Sequence, residues 1–218
     1  MLTIAGRPAM SAVVMKSKSK NNDLDDRVER ETKEIVKKIK AGDQRSFSRL
    51  VRLYKNQVAS LAYKMVGDYD EAADIMQNVF VKVNQNIWRF DEKKRFYTWL
   101  YRITVNASID YMRKHHRHQH ESIENVKEKA DEKNDTPEAS FKKSRLREYI
   151  DEAAESLNEK QRSAFFLRDV DGCNIDDVAN IMNMPEATVR WYLHRARTKI
   201  KKELMKKCPQ LLLGMGFK

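Results

Sequence analysis

Apolar residues recur along this chain at intervals of three and four, the spacing that gives a helix one buried face. Phe47, Leu50, Val51, Tyr54, Val58, Leu61, Ala62 and Met65 form one such stripe, which Gly67-Asp68 interrupts. Ala72, Ala73, Met76, Val79, Phe80, Val83 and Ile87 form the next. A basic connector, WRFDEKKRFY, leads to a further stripe of Trp99, Leu100, Ile103, Ala107 and Tyr111. An opening helix ends near Ala41-Gly42, where glycine supplies the stop. Together these segments predict a helical block over residues 25–117.

A second block is predicted over residues 143–207. Leu146, Tyr149, Ile150, Ala153 and Leu157 mark its first helix. Asn158, with Gln161 three residues later, is a capping pair for the next, which runs through Arg168. Asp171-Gly172 turns the chain, Asn174 caps the short helix IDDVANIM, and Asn183 ends it. Pro185 suits the first turn of the last helix. At about 100° per residue, Val189, Leu193, Ala196, Ile200 and Leu204 fall on one narrow stripe. Trp191, His194, Arg195, Thr198 and Lys202 fall opposite, flanked by Arg190, Arg197 and Lys201. Such a helix after a short turn is the arrangement by which a helix-turn-helix reads a major groove. With no sustained alternation of apolar and polar residues, the predicted fold is all-α: two small helical domains.

Residues 118–142 between the blocks are acidic on balance and poor in large apolar groups, so they read as a flexible linker. Residues 1–24 read as a disordered tail, and 208–218 as a C-terminal tail. The longest apolar runs fall well short of the about 18 residues a membrane span needs. The lysines near the N-terminus follow the apolar run AMSAVVM instead of preceding it, the wrong order for a secretory signal. Cys173 and Cys208 are the only cysteines, too few and too far apart for a disulfide framework. A cytoplasmic protein without membrane insertion is expected.

Lys and Arg number 43 against 32 Asp and Glu, a net charge of +11. That balance favours a polyphosphate partner through counterion release. No Gly-rich phosphate loop, nucleophile elbow or HExxH stretch is present, so neither catalytic residues nor a cofactor are expected. His115, His116, His118 and His120 cluster, but no carboxylate or cysteine framework fixes them. They read as a solvated junction beside phosphate, and no metal is expected.

Two stretches carry a resemblance. They are DYDEAADIMQNVFVKVNQNIWRFDEKKRFYTWLYRITVNASIDYMRKHHR and LNEKQRSAFFLRDVDGCNIDDVANIMNMPEATVRWYLHRARTKIKKEL. In this order, across a linker, they resemble a bacterial sigma factor of the extracytoplasmic-function group. The resemblance implies a sigma-2 domain, a sigma-4 domain, and no catalytic chemistry. It implies binding to core RNA polymerase, through the β′ clamp helices and the β flap, and to promoter DNA. Control by an anti-sigma factor follows from the same likeness.

Read residue by residue, Asp70, Asp74, Gln77 and Asn78 make a polar face that on its own reads first as solvated. The resemblance turns it toward the clamp helices. From Trp88 to His116, cations and rings interleave in a mix suited to unpaired DNA. Lys93, Lys94, Arg95, Phe96, Trp99, Arg102, Asn106 and Arg113 are the candidates for the −10 element. Phe96 and the lysines are expected to face DNA, whereas Trp99 and Tyr101 read first as core. The loop at 91–97 matches the family's pocket for a flipped base. Thr188, Arg190, Trp191, His194 and Arg195 are the candidates for reading the −35 element. Arg197 and Lys199 lie farther along and are expected at phosphates, with Arg168 beside them. Trp191 and Tyr192 depart from the family's usual residues, so the −35 sequence should differ too. The alternative function is a free-standing helix-turn-helix regulator that does not bind core polymerase. A helical nuclease would need clustered carboxylates for metal ions, which the sequence does not display.

Overall fold

The computed structural model describes the backbone of residues 18–119 and 148–207, with side chains over 27–115 and 148–207. Among these residues all regular structure is helical. α1 (Lys18–Lys40), α2 (Gln44–Val66), α3 (Tyr69–Asn86) and α4 (Phe96–Gln119) form the first block. A 3-10 turn, Ile87–Arg89, follows α3. The second block holds α5 (residues 148–154), α6 (Glu159–Phe165), a π turn (Phe166–Val170), α7 (Ile175–Met182) and α8 (Glu186–Lys207).

Short polar side chains set the helix ends. Asp43 caps α2 by accepting the Arg45 N–H and, at 2.7 Å, the Ser46 hydroxyl. Gly67 adopts a left-handed φ of 82° and closes α2 through its N–H to Tyr63 O. Asp68 then accepts the N–H groups of Asp70 and Glu71 and starts α3. The Asn158–Gln161 capping box closes in both directions, at 2.9 and 3.4 Å. Asn174 occupies the start of α7, but its side chain makes no capping bond there. α1 begins at Lys18, inside the segment expected to be a disordered tail. Once residues near Val36 are packed, extending the helix backwards adds one hydrogen bond per residue without a new nucleus. Residues 1–17, 120–147 and 208–218 lie outside the described residues, and most of the expected linker with them.

α1 to α4 enclose a core of Val36, Leu50, Val58, Val79, Val83 and Leu100. Inside it the Thr32 hydroxyl meets the Tyr54 hydroxyl at 2.9 Å, so neither polar group is orphaned. In the second block Phe165 and Phe166 pack against Ala196, Ile200 and Leu204. The predicted stripe of α8 is buried along its whole length: Val189, Leu193, Ala196, Ile200 and Leu204.

A third cluster crosses between the blocks. Leu61, Met65, Val105 and Met112 of the first pack with Leu167, Val178, Ile181, Val189 and Leu193 of the second. The sequence predicts two separately packed modules; the structure brings them into one contact. The cause is surplus apolar surface on α2 and α4, whose stripes are wider than the four-helix core can cover.

The turn of the helix-turn-helix is a Schellman closure. Asn183 is left-handed (φ 51°, ψ 52°), Met184 donates to Ala179 O at 3.1 Å, and Asn183 donates to Asn180 O at 3.4 Å. Asn183→Ala is expected to cost about 1 kcal/mol in urea denaturation, because alanine pays the left-handed penalty without local compensation. Asn183→Gly should leave stability near its starting value.

Cys173 is half-buried between the π turn and α7, and burial pushes its thiol up to about 12. The folded state therefore favours the protonated thiol. Its contribution to stability is complete below the ordinary value of 9.0 and disappears as pH rises toward about 12. In a Cys208→Ser protein at pH 8, iodoacetamide should label Cys173 slowly when native and rapidly in guanidinium.

Candidate nucleic-acid interface

α3 turns its apolar stripe, Ala72, Ile75, Val79 and Val83, into the core. Asp70, Asp74, Gln77 and Asn78 consequently share an exposed strip on the opposite side. Val81 and Trp88, 53% and 57% exposed, add apolar area beside it.

The loop after α3 is tied down from a distance. Lys40 Nζ donates to Phe90 O at 2.8 Å and to Glu92 Oε1 at 3.0 Å. Asp91 accepts the Lys93 N–H, and Glu29 accepts the Phe96 N–H at 2.9 Å. Lys93 and Lys94 are left exposed at the tip, with Asn106 and Arg113 exposed farther along α4. Phe96 corrects the expectation that it faces DNA: it is 0% exposed and packs between Tyr54, Phe90 and Trp99. Placed at the first turn of α4, its ring lies against Tyr54 of α2 and Phe90 of the loop. Trp99 is half-buried in the same aromatic group, in line with its reading as core.

Two other candidates are already engaged. Arg102 donates both Nε (at 3.0 Å) and a terminal nitrogen to Asn180 O, at the end of α7. Arg95 lies 3.7 Å from Asp177, in the first turn of α7, while its guanidinium sits 4.9 Å from the Tyr97 ring centre. Sequence reasoning missed Glu29, Lys40 and Asp177. Each acts across a gap that periodicity does not report.

On α8, Arg190, Trp191, His194 and Arg195 are exposed and Thr188 is half-buried. Arg195 stacks on Trp191 with its guanidinium carbon 4.6 Å from the ring centre, and Tyr192 meets that indole edge-on. Arg190 is held by Glu186 one turn earlier. Arg197 grips Asp169 with two nitrogens, at 2.8 and 2.6 Å, and Lys199 donates to Ser156 O at 3.1 Å. Arg168 donates to Cys173 O at 2.6 Å and ties the π turn to the start of α7.

Of the histidine cluster, His115 stacks on Tyr111, with ring centres 3.9 Å apart. The side chains of His116 and His118, and all of His120, lie outside the described residues. Among the described residues no group of three His, Cys, Asp or Glu is placed to hold a metal ion. No described helix is long and apolar enough to cross a membrane.

The sigma-70 region 2 family matches residues 50–118, and the sigma-70 region 4 family matches residues 147–200. The ECF RNA polymerase sigma factor SigW of Bacillus subtilis is 31% identical over 179 residues, covering 79% of this chain and 96% of SigW. The chain belongs to the ECF sigma factors. The ECF sigma-E factor of Escherichia coli is 35% identical over 173 residues, covering 76% of this sigma factor and 90% of its own length. Two solved structures share the fold. CnrH bound to the cytosolic domain of CnrY has a TM-score of 0.58 at 20% identity, covering 79% of this chain and 96% of CnrH. The sigma factor RpoE bound to the anti-sigma factor NepR, from Bartonella quintana, has a TM-score of 0.58 at 22% identity, covering 72% and 96%. The free-standing regulator is set aside, because such a protein has no use for a region 2 block, and here that block spans α2 to α4. This sigma factor is a promoter-specificity subunit of RNA polymerase.

Proposed function

We propose that each surface of this sigma factor has a separate task in initiation. The exposed strip of Asp70, Asp74, Gln77 and Asn78 meets the β′ clamp helices of core polymerase, and the second block meets the β flap. The loop with Lys93 and Lys94, followed by Arg95, Trp99, Arg102, Asn106 and Arg113 on α4, takes the unpaired −10 strand. Phe96 acts beneath that surface as its support. α8 enters the major groove at −35. Thr188, Arg190, Trp191, His194 and Arg195 approach base edges, while Arg197 and Lys199 exchange their present partners for phosphate. The protein works in the cytoplasm with no catalytic step of its own.

The observation that carries this reading is the division of α8 into a fully buried stripe and an open cationic and aromatic face. A surface of that composition has no packing role inside the protein and suits a groove lined with acceptors and phosphates. Transcription in vitro with purified core polymerase tests it. Specific start sites are expected on genomic fragments only when this protein is added; their absence overturns the reading. An anti-sigma factor, wrapping one or both blocks, is the expected regulator. Affinity capture from uninduced cells should recover it alongside polymerase, and recovery of polymerase alone counts against it.

A further inference from the structure

Side chains hold the loop between α3 and α4 at three main-chain points, and two of those side chains belong to α1. Lys40 Nζ donates to Phe90 O at 2.8 Å, where the chain leaves the 3-10 turn. Glu29 Oε1 accepts the Phe96 N–H at 2.9 Å, where α4 begins. Between them the Asp91 carboxylate accepts the Lys93 N–H, and the Lys94 N–H closes a turn onto Asp91 O, both at 3.0 Å. Glu29 and Lys40 stand eleven residues apart. That spacing puts them within about 20° of one side of the helix and about 16 Å apart along it. One face of α1 therefore reaches both ends of the loop.

The same bonds sort the charges of the loop. Glu92 pairs with Lys40 at 3.0 Å and Asp91 caps the turn, so two carboxylates that would repel a phosphate strand are engaged in holding the backbone. Lys93 and Lys94 stay exposed. Both α1 residues precede the region 2 match at residues 50–118. Unstacking a base is costly, and a loop that had to order itself on binding would add to that cost. We infer that Glu29 and Lys40 are positioning residues for −10 recognition: from α1 they hold the loop at 91–97, before DNA arrives, in the shape that accepts an unpaired base. The inference rests on the −10 assignment of that loop and adds the residues that shape it.

A loop that visits its receptive shape only part of the time loses apparent affinity in proportion to that fraction. Hydrogen bonds to charged partners are the stronger class, so losing either one is expected to lower the receptive fraction to about one fifth or less. The test uses holoenzyme assembled from core polymerase and the full chain, with a randomised single-stranded DNA library as the probe. Sequencing the bound fraction gives the base preference at each position relative to core alone, and the total DNA retained gives the overall affinity. Glu29→Leu and Lys40→Met are each expected to reduce the strongest preference at least about fivefold, while total retention falls less than about twofold because Lys93 and Lys94 remain. Lys93→Gln should do the reverse, lowering retention of every sequence and keeping the preference. Glu29→Gln keeps a carbonyl acceptor for the Phe96 N–H and should restore most of the preference. Ile75→Ala, buried on α3 three turns before the loop, controls for lost stability: it should lower the urea midpoint and leave the preference intact. If Glu29→Leu and Lys40→Met leave the preference intact, or if Ile75→Ala flattens it as they do, the inference is wrong. Wild-type holoenzyme that enriches no base beyond core alone would instead overturn the −10 assignment itself, and the inference with it.

Discussion

Phe96→Ala is expected to remove about 3–5 kcal/mol from the stability of the first block, read as a shift of the urea midpoint. The ring is fully buried and touches three other aromatics, Tyr54, Phe90 and Trp99, at centroid separations of 5.4, 5.3 and 5.6 Å. Truncation leaves a cavity under the loop that carries Lys93 and Lys94, with only side chains of fixed helices to fill it. Single-stranded DNA binding should fall with folding, and cooling or stabilising osmolyte should restore it. A ring that stacked on bases would behave in the opposite way: stability would hold and DNA binding alone would be lost. Trp88→Ala provides the contrast. That indole is 57% exposed, so its removal should change stability by no more than about 0.5 kcal/mol.

Arg195→Ala on α8 is expected to weaken binding to the cognate −35 duplex by about 1–3 kcal/mol while random duplex is affected less. The guanidinium carbon lies 4.6 Å from the Trp191 ring centre, a cation–π contact that limits the rotamers of the side chain. Trp191→Ala should therefore lose part of the same discrimination, although it removes no donor. The double variant should lose less than the sum of the two single losses, because the ring acts partly through the guanidinium. Fluorescence anisotropy on cognate and random duplexes at one salt concentration separates base reading from phosphate attraction. Equal losses on both DNAs would assign Arg195 to phosphate instead.

The elements of this protein were legible in its sequence wherever one stretch of chain decides the outcome. The stripe from Val189 to Leu204 is buried as its 3.6-residue period requires. The Asn158–Gln161 box closes because its partners are three residues apart, and Asn183 turns left-handed because its short amide tolerates that region. The exposed placement of Arg190, Trp191, His194 and Arg195 follows from the same helical arithmetic. Tertiary structure alone decided what covers each face. Phe96 looked like one more ring among cations, and only packing against Tyr54 of α2, Phe90 and Trp99 made it core. Arg102 and Arg95 looked available, and only the arrival of α7, some 80 residues later in the chain, engaged them. Periodicity records which side of a helix is apolar or charged. It carries no information about which distant element will meet that side, since that choice is made by the competition of all apolar surfaces for cover and of all buried donors for acceptors.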